Sequence, residues 1–507
     1  MQLPINKRRK KCLTAYSLKN IGVRKKDLVG KKKHTTRQRQ KYLEMTQQTA
    51  PLHVVVCGAG ALGSATAYYL KEKEVKKKEK GRGKKIKKAS GKAGGFLAYD
   101  WCIDELNVLA KKSFELHSQI GETYKDQTYY RRLNTYDIKT KTTFSKTKED
   151  NERHEATEWM DCTVDACKEM GSLKTTAQIH PKRLCEIVQT KKKYELVYGA
   201  VKGIQFSDDT SKRQQVVTGV WYSPTSLPSA ETEEKSSNDP QPTNTKETSR
   251  TETNETEKQQ QKQEGEGTSN LQLIRCDAVV ICMGPWSSQA YQWFPECLQL
   301  KNLTGIFVYV YSFFYHFFFF LHQLNLQNRK TGRRTNSVVV KPCKMDAKDI
   351  PANAYFVNHV SKDSENNELE IYPRSDGTFY CCGFSEILPL PEDPLHIVCD
   401  SKRTQMLHEC LGEISGRHLG VDVSTLLTQQ ACYLPSTSDA IPLIGKITGT
   451  NNAFVGTGHT CWGILNSLIT GLLLSELIVD GQYRTVDDDT MKAFNPSREY
   501  FFEDLTQ

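Results

Sequence analysis

Three short apolar runs punctuate the chain, HVVVC at 53–57, DAVVIC at 277–282 and NAFVGTG at 452–458, and each ends at or just before a glycine-rich turn. Unbroken apolar runs of this length are the pattern of strands buried on both faces of a parallel sheet. Segments 61–72 and 462–478 carry the spacing of helices instead. ELEIYPR–SDG–TFYCCGFS at 368–385 alternates around an Asp-Gly turn, which predicts an antiparallel hairpin. The patterns together predict an α/β architecture of two domains, one on a parallel sheet and a smaller one on an antiparallel sheet, with chain segments interleaved between them.

Between these elements the chain turns polar. Only 37% of the 507 residues are hydrophobic and 25% are charged, and the mean hydropathy is −0.58. That dilution comes from definable stretches. Residues 1–51 read as a disordered basic arm, with 15 Lys and Arg in the first 50 positions against Asp27 and Glu44. From 223 to 270 almost no apolar residue follows Leu227, so this insertion cannot bury enough surface to offset its ordering entropy. IFVYVYSFFYHFFFFL at 306–321 is an aromatic block shorter than the roughly 20 residues a membrane helix needs. It reads as an irregular insertion, and no integral membrane span is expected.

The net charge of +11 excludes less than it suggests. Its positive part lies in the arm and in Lys71–Lys88, leaving an acidic body, so a nucleic-acid groove is not expected. The 16 cysteines form no C-x-x-C pair, which argues for a reducing compartment and against a zinc site. A cytoplasmic protein is expected, with mitochondrial import the alternative; no metal is called, and the oligomeric state is left open.

Gly58-Ala59-Gly60-Ala61-Leu62-Gly63 is G-x-G-x-x-G between a predicted strand and a predicted helix. Its glycines allow a tight turn and a close backbone approach to a pyrophosphate, which the helix N-terminus favours electrostatically. The motif alone does not separate NAD from FAD. A second loop poor in side chains, Ser90-Gly91-Lys92-Ala93-Gly94-Gly95, would let a further stretch of backbone approach a large planar ring.

These residues, with FLA at 96–98 and DWC at 100–102, resemble the D-amino-acid oxidase/glycine oxidase-like superfamily of FAD-dependent oxidoreductases. The likeness continues through YRRL at 130–133, AQIHP at 177–181, MGPWS at 283–287, YPRSDG at 372–377, LPSTSD at 434–439 and TGHTCWGIL at 457–465. It implies a Rossmann-like FAD-binding domain and a smaller antiparallel substrate domain. By position, Gly58, Gly60, Ala61, Leu62 and Gly63 would hold the pyrophosphate, and Ser90, Gly91, Lys92, Ala93, Gly94 and Gly95 would line it and the flavin. Val201 would face the adenine and Gly284 would close a turn beside the nucleotide. Thr457, Gly458, His459, Trp462, Gly463 and Ile464 would lie along the pyrimidine end of the flavin, with a helix starting near Gly463. Arg374 would grip a substrate carboxylate, with Tyr372 its companion on the same face. His459 would bond flavin or substrate, or simply pack. Cys432 falls where some relatives attach FAD through cysteine; a buried strand cysteine is the plainer reading.

One feature departs from the superfamily's pattern. The second strand of a dinucleotide fold should be apolar and end in a carboxylate for the adenosine ribose. Here the corresponding stretch is KKKEKGRGKK, in which only Glu79 is acidic. A central strand of lysines would bury charge at several kcal/mol each, so this stretch is expected either to pair with its lysines turned outward or not to fold, at a cost in FAD affinity.

The FAD-binding domain is thus expected over 52–125, 177–222, 271–300 and 429–507. The substrate domain is expected over 126–176 and 336–428, with 301–335 an irregular aromatic insertion. The activity implied is hydride transfer from a C–N bond of an amino-acid-like substrate to FAD, with dioxygen or another acceptor reoxidising it. The competing readings are an inactive relative serving as a scaffold, favoured by the missing strand, and a nicotinamide dehydrogenase, disfavoured by the second glycine loop.

Overall fold

Along the first apolar run, Val54 and Val56 turn to one side and Val55 and Cys57 to the other, and all four are fully buried. The strand is covered on both faces, as its unbroken apolar sequence requires. The computed structural model describes residues 14–21, 52–74, 89–142, 154–190, 194–207, 214–224, 271–301, 303, 331–392 and 394–498. Expectations placed on Val75–Lys88, including Glu79, and on most of 223–270 and 306–321 lie outside these residues.

An eight-stranded sheet is built from β1 (Thr14–Ile21), β2 (Leu52–Cys57), β8 (Glu195–Phe206), β9 (Val217–Pro224), β10 (Gln272–Arg275), β11 (Ala278–Ile281), β17 (Leu443–Lys446) and β18 (Ala453–Thr457). Their order is β10-β9-β8-β1-β2-β11-β18-β17. Among its neighbouring pairs only β2–β11 and β11–β18, formed by the three glycine-terminated runs, are parallel; the expected parallel sheet is therefore a mixed one with a parallel centre. Helices α1 (Ala61–Glu74) and α5 (Ser467–Asp480) cover one face, through Leu70, Ile469 and Leu473. Trp286, Ala290 and Phe294 cover the other.

The expectation of a disordered arm over 1–51 fails at Thr14–Ile21. This segment is β1, antiparallel to β2 on one side, with Tyr16 opposite Val56, and to β8 on the other, with Tyr16 opposite Leu196. It occupies the place beside the first parallel strand that the second strand of a dinucleotide fold would take. The physical reason is that a central strand edge left open exposes a row of unpaired N–H and C=O groups. A remote segment supplies the pairing that the lysine-rich stretch is unsuited to give.

The second sheet has seven strands in the order β16-β12-β15-β14-β13-β5-β6. These are β5 (Asn134–Lys141), β6 (Thr163–Gly171), β12 (Thr331–Pro342), β13 (Asn353–Val360), β14 (Asn366–Pro373), β15 (Phe379–Pro389) and β16 (Ser424–Tyr433). The expected hairpin is β14–β15, with Tyr372 opposite Tyr380. Val338, Leu369 and Ile371 pack with α4 (Ser401–Ile414) on one face. Tyr372, Tyr380 and Cys382 lie on the other, against Phe96 and Phe356. A small sheet of β3 (Phe96–Ala98), β7 (Thr176–Gln178) and β4 (Arg131–Arg132) joins the two layers. Two further helices, α2 (Asp104–Thr123) and α3 (Pro181–Thr190), complete the frame. No described helix is long and apolar enough to cross a membrane.

Candidate functional site

The C-terminal ends of β2, β11 and β18 meet at one edge of the central sheet, and their turns carry the glycines that the sequence singled out. Gly58 leaves β2 at φ +107°, and a Cβ there would lie 2.1 Å from the Cys282 carbonyl oxygen. Backbone conformation and space both demand glycine at this turn. The chain then enters α1 with Ala61 and Leu62 in its first turn, so the positive end of a 14-residue helix faces the same edge.

The second loop closes on this turn. Ser90 Oγ accepts a hydrogen bond from Ala61 N at 2.9 Å, and a Cβ on Gly60 would sit 2.9 Å from the same oxygen. Ser90 therefore occupies one of the free N–H groups that a helix N-terminus offers an anion. Gly284, at φ +59°, follows β11, and a Cβ on it would meet nothing within 4 Å. The turn borders open space, and Thr457 Oγ1 donates to its carbonyl at 3.1 Å. Gly58, Gly60, Gly63, Ser90, Gly284, Thr457 and Gly458 are thus gathered at one sheet edge. This cradle suits a pyrophosphate. Beside β2 the neighbouring place is taken by antiparallel β1, whose sequence TAYSLKNI contains no carboxylate. Val201 is buried on β8, the strand beyond β1.

The rest of the second loop reaches the substrate sheet. Gln430 Nε2 donates to the Lys92 carbonyl at 2.9 Å, and Lys92 Nζ donates to the Ala431 carbonyl at 3.0 Å. Burial holds the Lys92 amine below its ordinary range, partly offset by the neighbouring Cys432 and Cys399. The Cys432 thiol is raised by burial, against the Lys92 charge, and so is held protonated. At Gly94 the two domains touch: a Cβ would fall 2.4 Å from Tyr372 Cδ2 and 2.9 Å from Tyr380 Cε1. Tyr372 in turn stacks on Tyr380 at 5.8 Å and on Phe96 at 5.5 Å.

Arg374 departs from its expected role. Only 5% exposed, it donates from Nη2 to the carbonyls of Ala93 at 3.1 Å and Gly94 at 3.5 Å. Its guanidinium carbon lies 5.0 Å from the centre of the Tyr380 ring. In this structure it braces the second loop instead of standing free for a substrate carboxylate. The local reason is that Ala93 carries only a methyl and Gly94 no side chain, so the space beside their carbonyls is open to the nearest planar donor. Arg131 works alongside, donating to the carbonyls of Pro351 at 2.9 Å and Pro373 at 2.7 Å.

His459 is buried between β18 and α5 and shares a hydrogen bond with Thr470 Oγ1 at 2.9 Å. Burial lowers it to about 3, which favours the neutral ring. The helix expected at Gly463 begins later: Thr460–Gly463 is a single tight turn containing Trp462, Ile464 follows, and α5 starts at Ser467. Sequence reasoning missed the pair that holds this turn. Ser113 Oγ donates to the Leu465 carbonyl at 2.5 Å, and His117 Nε2 lies 3.0 Å from the carbonyls of Ile464 and Leu465. The signal was present: both are polar, four residues apart, on the apolar face of α2.

Residues 316–477 match the family model described as FAD dependent oxidoreductase. The chain is 26% identical over 408 residues to the oxidoreductase candidate C1F5.03c of Schizosaccharomyces pombe, covering 80% of this chain and 86% of that protein. It is 30% identical over 156 residues to the oxidoreductase candidate TDA3 of Saccharomyces cerevisiae, 28% of that protein's length. Among solved structures, glycine oxidase from Geobacillus kaustophilus superposes with a TM-score of 0.53 at 15% identity, over 88% of this chain and 98% of the other. L-amino acid deaminase from Proteus vulgaris gives 0.53 at 12% identity, over 88% and 96%. At such identities the two structures speak for the fold.

Proposed function

We propose that this chain, a member of the D-amino-acid oxidase-like superfamily of FAD-dependent oxidoreductases, oxidises a C–N bond of an amine-bearing, amino-acid-like substrate. The observation that carries this reading is the contact at Gly94, where the nucleotide cradle meets the aromatic face of the substrate sheet with no room for a side chain between them. A ring held along the second loop and a substrate held on that sheet would be neighbours.

Gly58, Gly60 and Gly63 with the start of α1 would hold the FAD pyrophosphate, and Ser90–Gly95 with Thr457–Ile464 would flank its ring. Bound there, FAD supplies a two-electron acceptor. The chain's own residues provide the rest. Arg374 and Gln430 fix the loop backbone. Phe96, Trp101, Phe356, Tyr372 and Tyr380 give the junction an aromatic wall. The N-terminal field of α5, set in place by Ser113 and His117, favours negative charge at its end. With His459 neutral and already bonded to Thr470, no base is offered from that side.

A second reading is a flavin-free scaffold, and it has a specific observation behind it: β1 fills the slot from which a ribose-binding carboxylate would come. Purified full-length protein separates the two. A yellow protein whose visible band bleaches anaerobically on adding one of a panel of amines and amino acids supports the oxidoreductase. A folded, colourless protein, or a flavin that no member of the panel reduces, defeats the C–N reading.

A further inference from the structure

β14 places one carboxylate on the face that meets the cradle. Leu369 and Ile371 point into the core beneath α4, so by alternation Glu370 and Tyr372 share the opposite face. Glu370 is solvent-exposed, yet it is not loose. It accepts a hydrogen bond from Tyr372 Oη at 2.6 Å and one from Cys382 Sγ at 3.4 Å. Across the sheet it stands opposite Phe356 on one side and Cys382 on the other.

Its wider surroundings are aromatic. Phe356 lies 5.3 Å from Trp101, 5.5 Å from Phe96 and 6.1 Å from Tyr372, ring centre to ring centre. Phe96, Trp101 and Phe356 are only partly buried, so their surfaces remain open to a ligand. The carboxylate therefore stands on the cradle-facing side of the sheet, directly across from Phe356 and two residues along the strand from Tyr372. Two donors fix its direction, and its remaining acceptor positions are free to meet a ligand.

An oriented carboxylate beside several open ring faces is a recognition device for a cation: the carboxylate supplies charge and hydrogen bonds, the rings supply an attractive face and exclude water. We propose that Glu370 is the specificity-determining residue of this site and binds the ammonium group of an amine-bearing ligand, with Phe96, Trp101 and Phe356 packing against the carbon attached to it. This deepens the reading of a C–N oxidoreductase and rests on it for the identity of the site. It leaves the carboxylate end of a substrate unassigned, since Arg374 is committed to the loop.

The probes are benzylammonium and benzyl alcohol, nearly equal in shape and different in charge, titrated calorimetrically into the flavin-loaded full-length protein. Wild type should prefer benzylammonium. Glu370→Gln should weaken benzylammonium about tenfold or more, leaving benzyl alcohol unchanged and erasing the preference. Glu370→Asp, which keeps the charge, should retain part of it. Glu370→Gln keeps an oxygen that can accept from Tyr372 and should melt close to wild type, so its loss of benzylammonium is one of binding and not of folding. Equal binding of the two probes by wild type, or undiminished benzylammonium binding by Glu370→Gln, overturns the assignment. If the protein purifies without flavin, the oxidoreductase reading fails, while the same titration on the flavin-free chain still decides the role of Glu370.

Discussion

The central sheet has two halves on either side of β2, and they are put together differently. Toward β11 and β18 the strands next to β2 are parallel, apolar throughout and followed by glycine turns, with only the edge strand β17 antiparallel, so strand, turn and ligand edge come from one local pattern. Toward β8 the neighbouring place is taken by β1, which runs antiparallel and arrives from more than 30 residues upstream. The first half is specified by contiguous sequence. The second is completed by whatever segment can satisfy the open backbone edge. A sheet can accept this substitution because ladder hydrogen bonds need only backbone, whereas a ribose-binding carboxylate is a particular side chain that TAYSLKNI does not contain.

The largest way to break the comparison is at its ordered side. Gly58→Val puts a branched side chain at φ +107° and into the Cys282 carbonyl. We expect a loss of at least about 3 kcal/mol of stability and no bound flavin, read by thermal melting and by the flavin-to-protein ratio. A variant that melts normally and retains flavin would show that the turn is not the cradle.

Deleting residues 1–21 tests the other half. Both β2 and β8 lose a partner, leaving two strand edges open. The expected result is a melting temperature lower by roughly 5–10 °C, as for a loss of a few kcal/mol, with concentration-dependent light scattering. If β1 is incidental, melting and scattering will match those of the full chain.

Acid should act first on the β18–α5 side. Burial lowers His117 to about 4 and His459 to about 3, both below the roughly 6.5 of an unfolded chain. The unfolded state therefore binds more protons below that value, so the stability these groups support is complete above about pH 6.5 and is lost as pH falls through the folded values. For His117 this is on the order of 3 kcal/mol. Hydrogen exchange at pH 5 should show residues 457–470 loosening before 52–57. Replacing His117 with Gln should flatten this acid dependence; an unchanged profile would mean the ring does not titrate on unfolding.

What the sequence disclosed follows the same division. The parallel centre, the hairpin and the glycine turns were legible because each is a local pattern with a local physical cause. β1 was not: TAYSLKNI lies in a basic arm, and its partners stand more than 30 and about 180 residues away, so nothing near it marks a strand. Arg374 was found as a residue but not as a brace, because hairpin spacing gives its place and not the bare carbonyls of Ala93 and Gly94 that it meets. Ser113 and His117 could have been found, since polar groups on the buried stripe of a helix need partners.

The smallest expected effect is the most discriminating, because it asks whether the two glycine loops act as one site. Ser90→Ala removes the acceptor of the Ala61 N–H. In flavin-free protein this costs one hydrogen bond at a helix start, about 1 kcal/mol, a shift of only a few degrees at most. If a pyrophosphate lies at this edge, the Ala61 N–H turns to the phosphate and the Ser90 hydroxyl becomes a second donor to it. The same substitution should then weaken FAD by about fivefold, the equivalent of roughly 1 kcal/mol. Stability measured without flavin and affinity measured with it should therefore fall together. A loss of stability with unchanged FAD affinity would make Ser90 a helix cap alone and would move the phosphate away from the meeting point of the two loops.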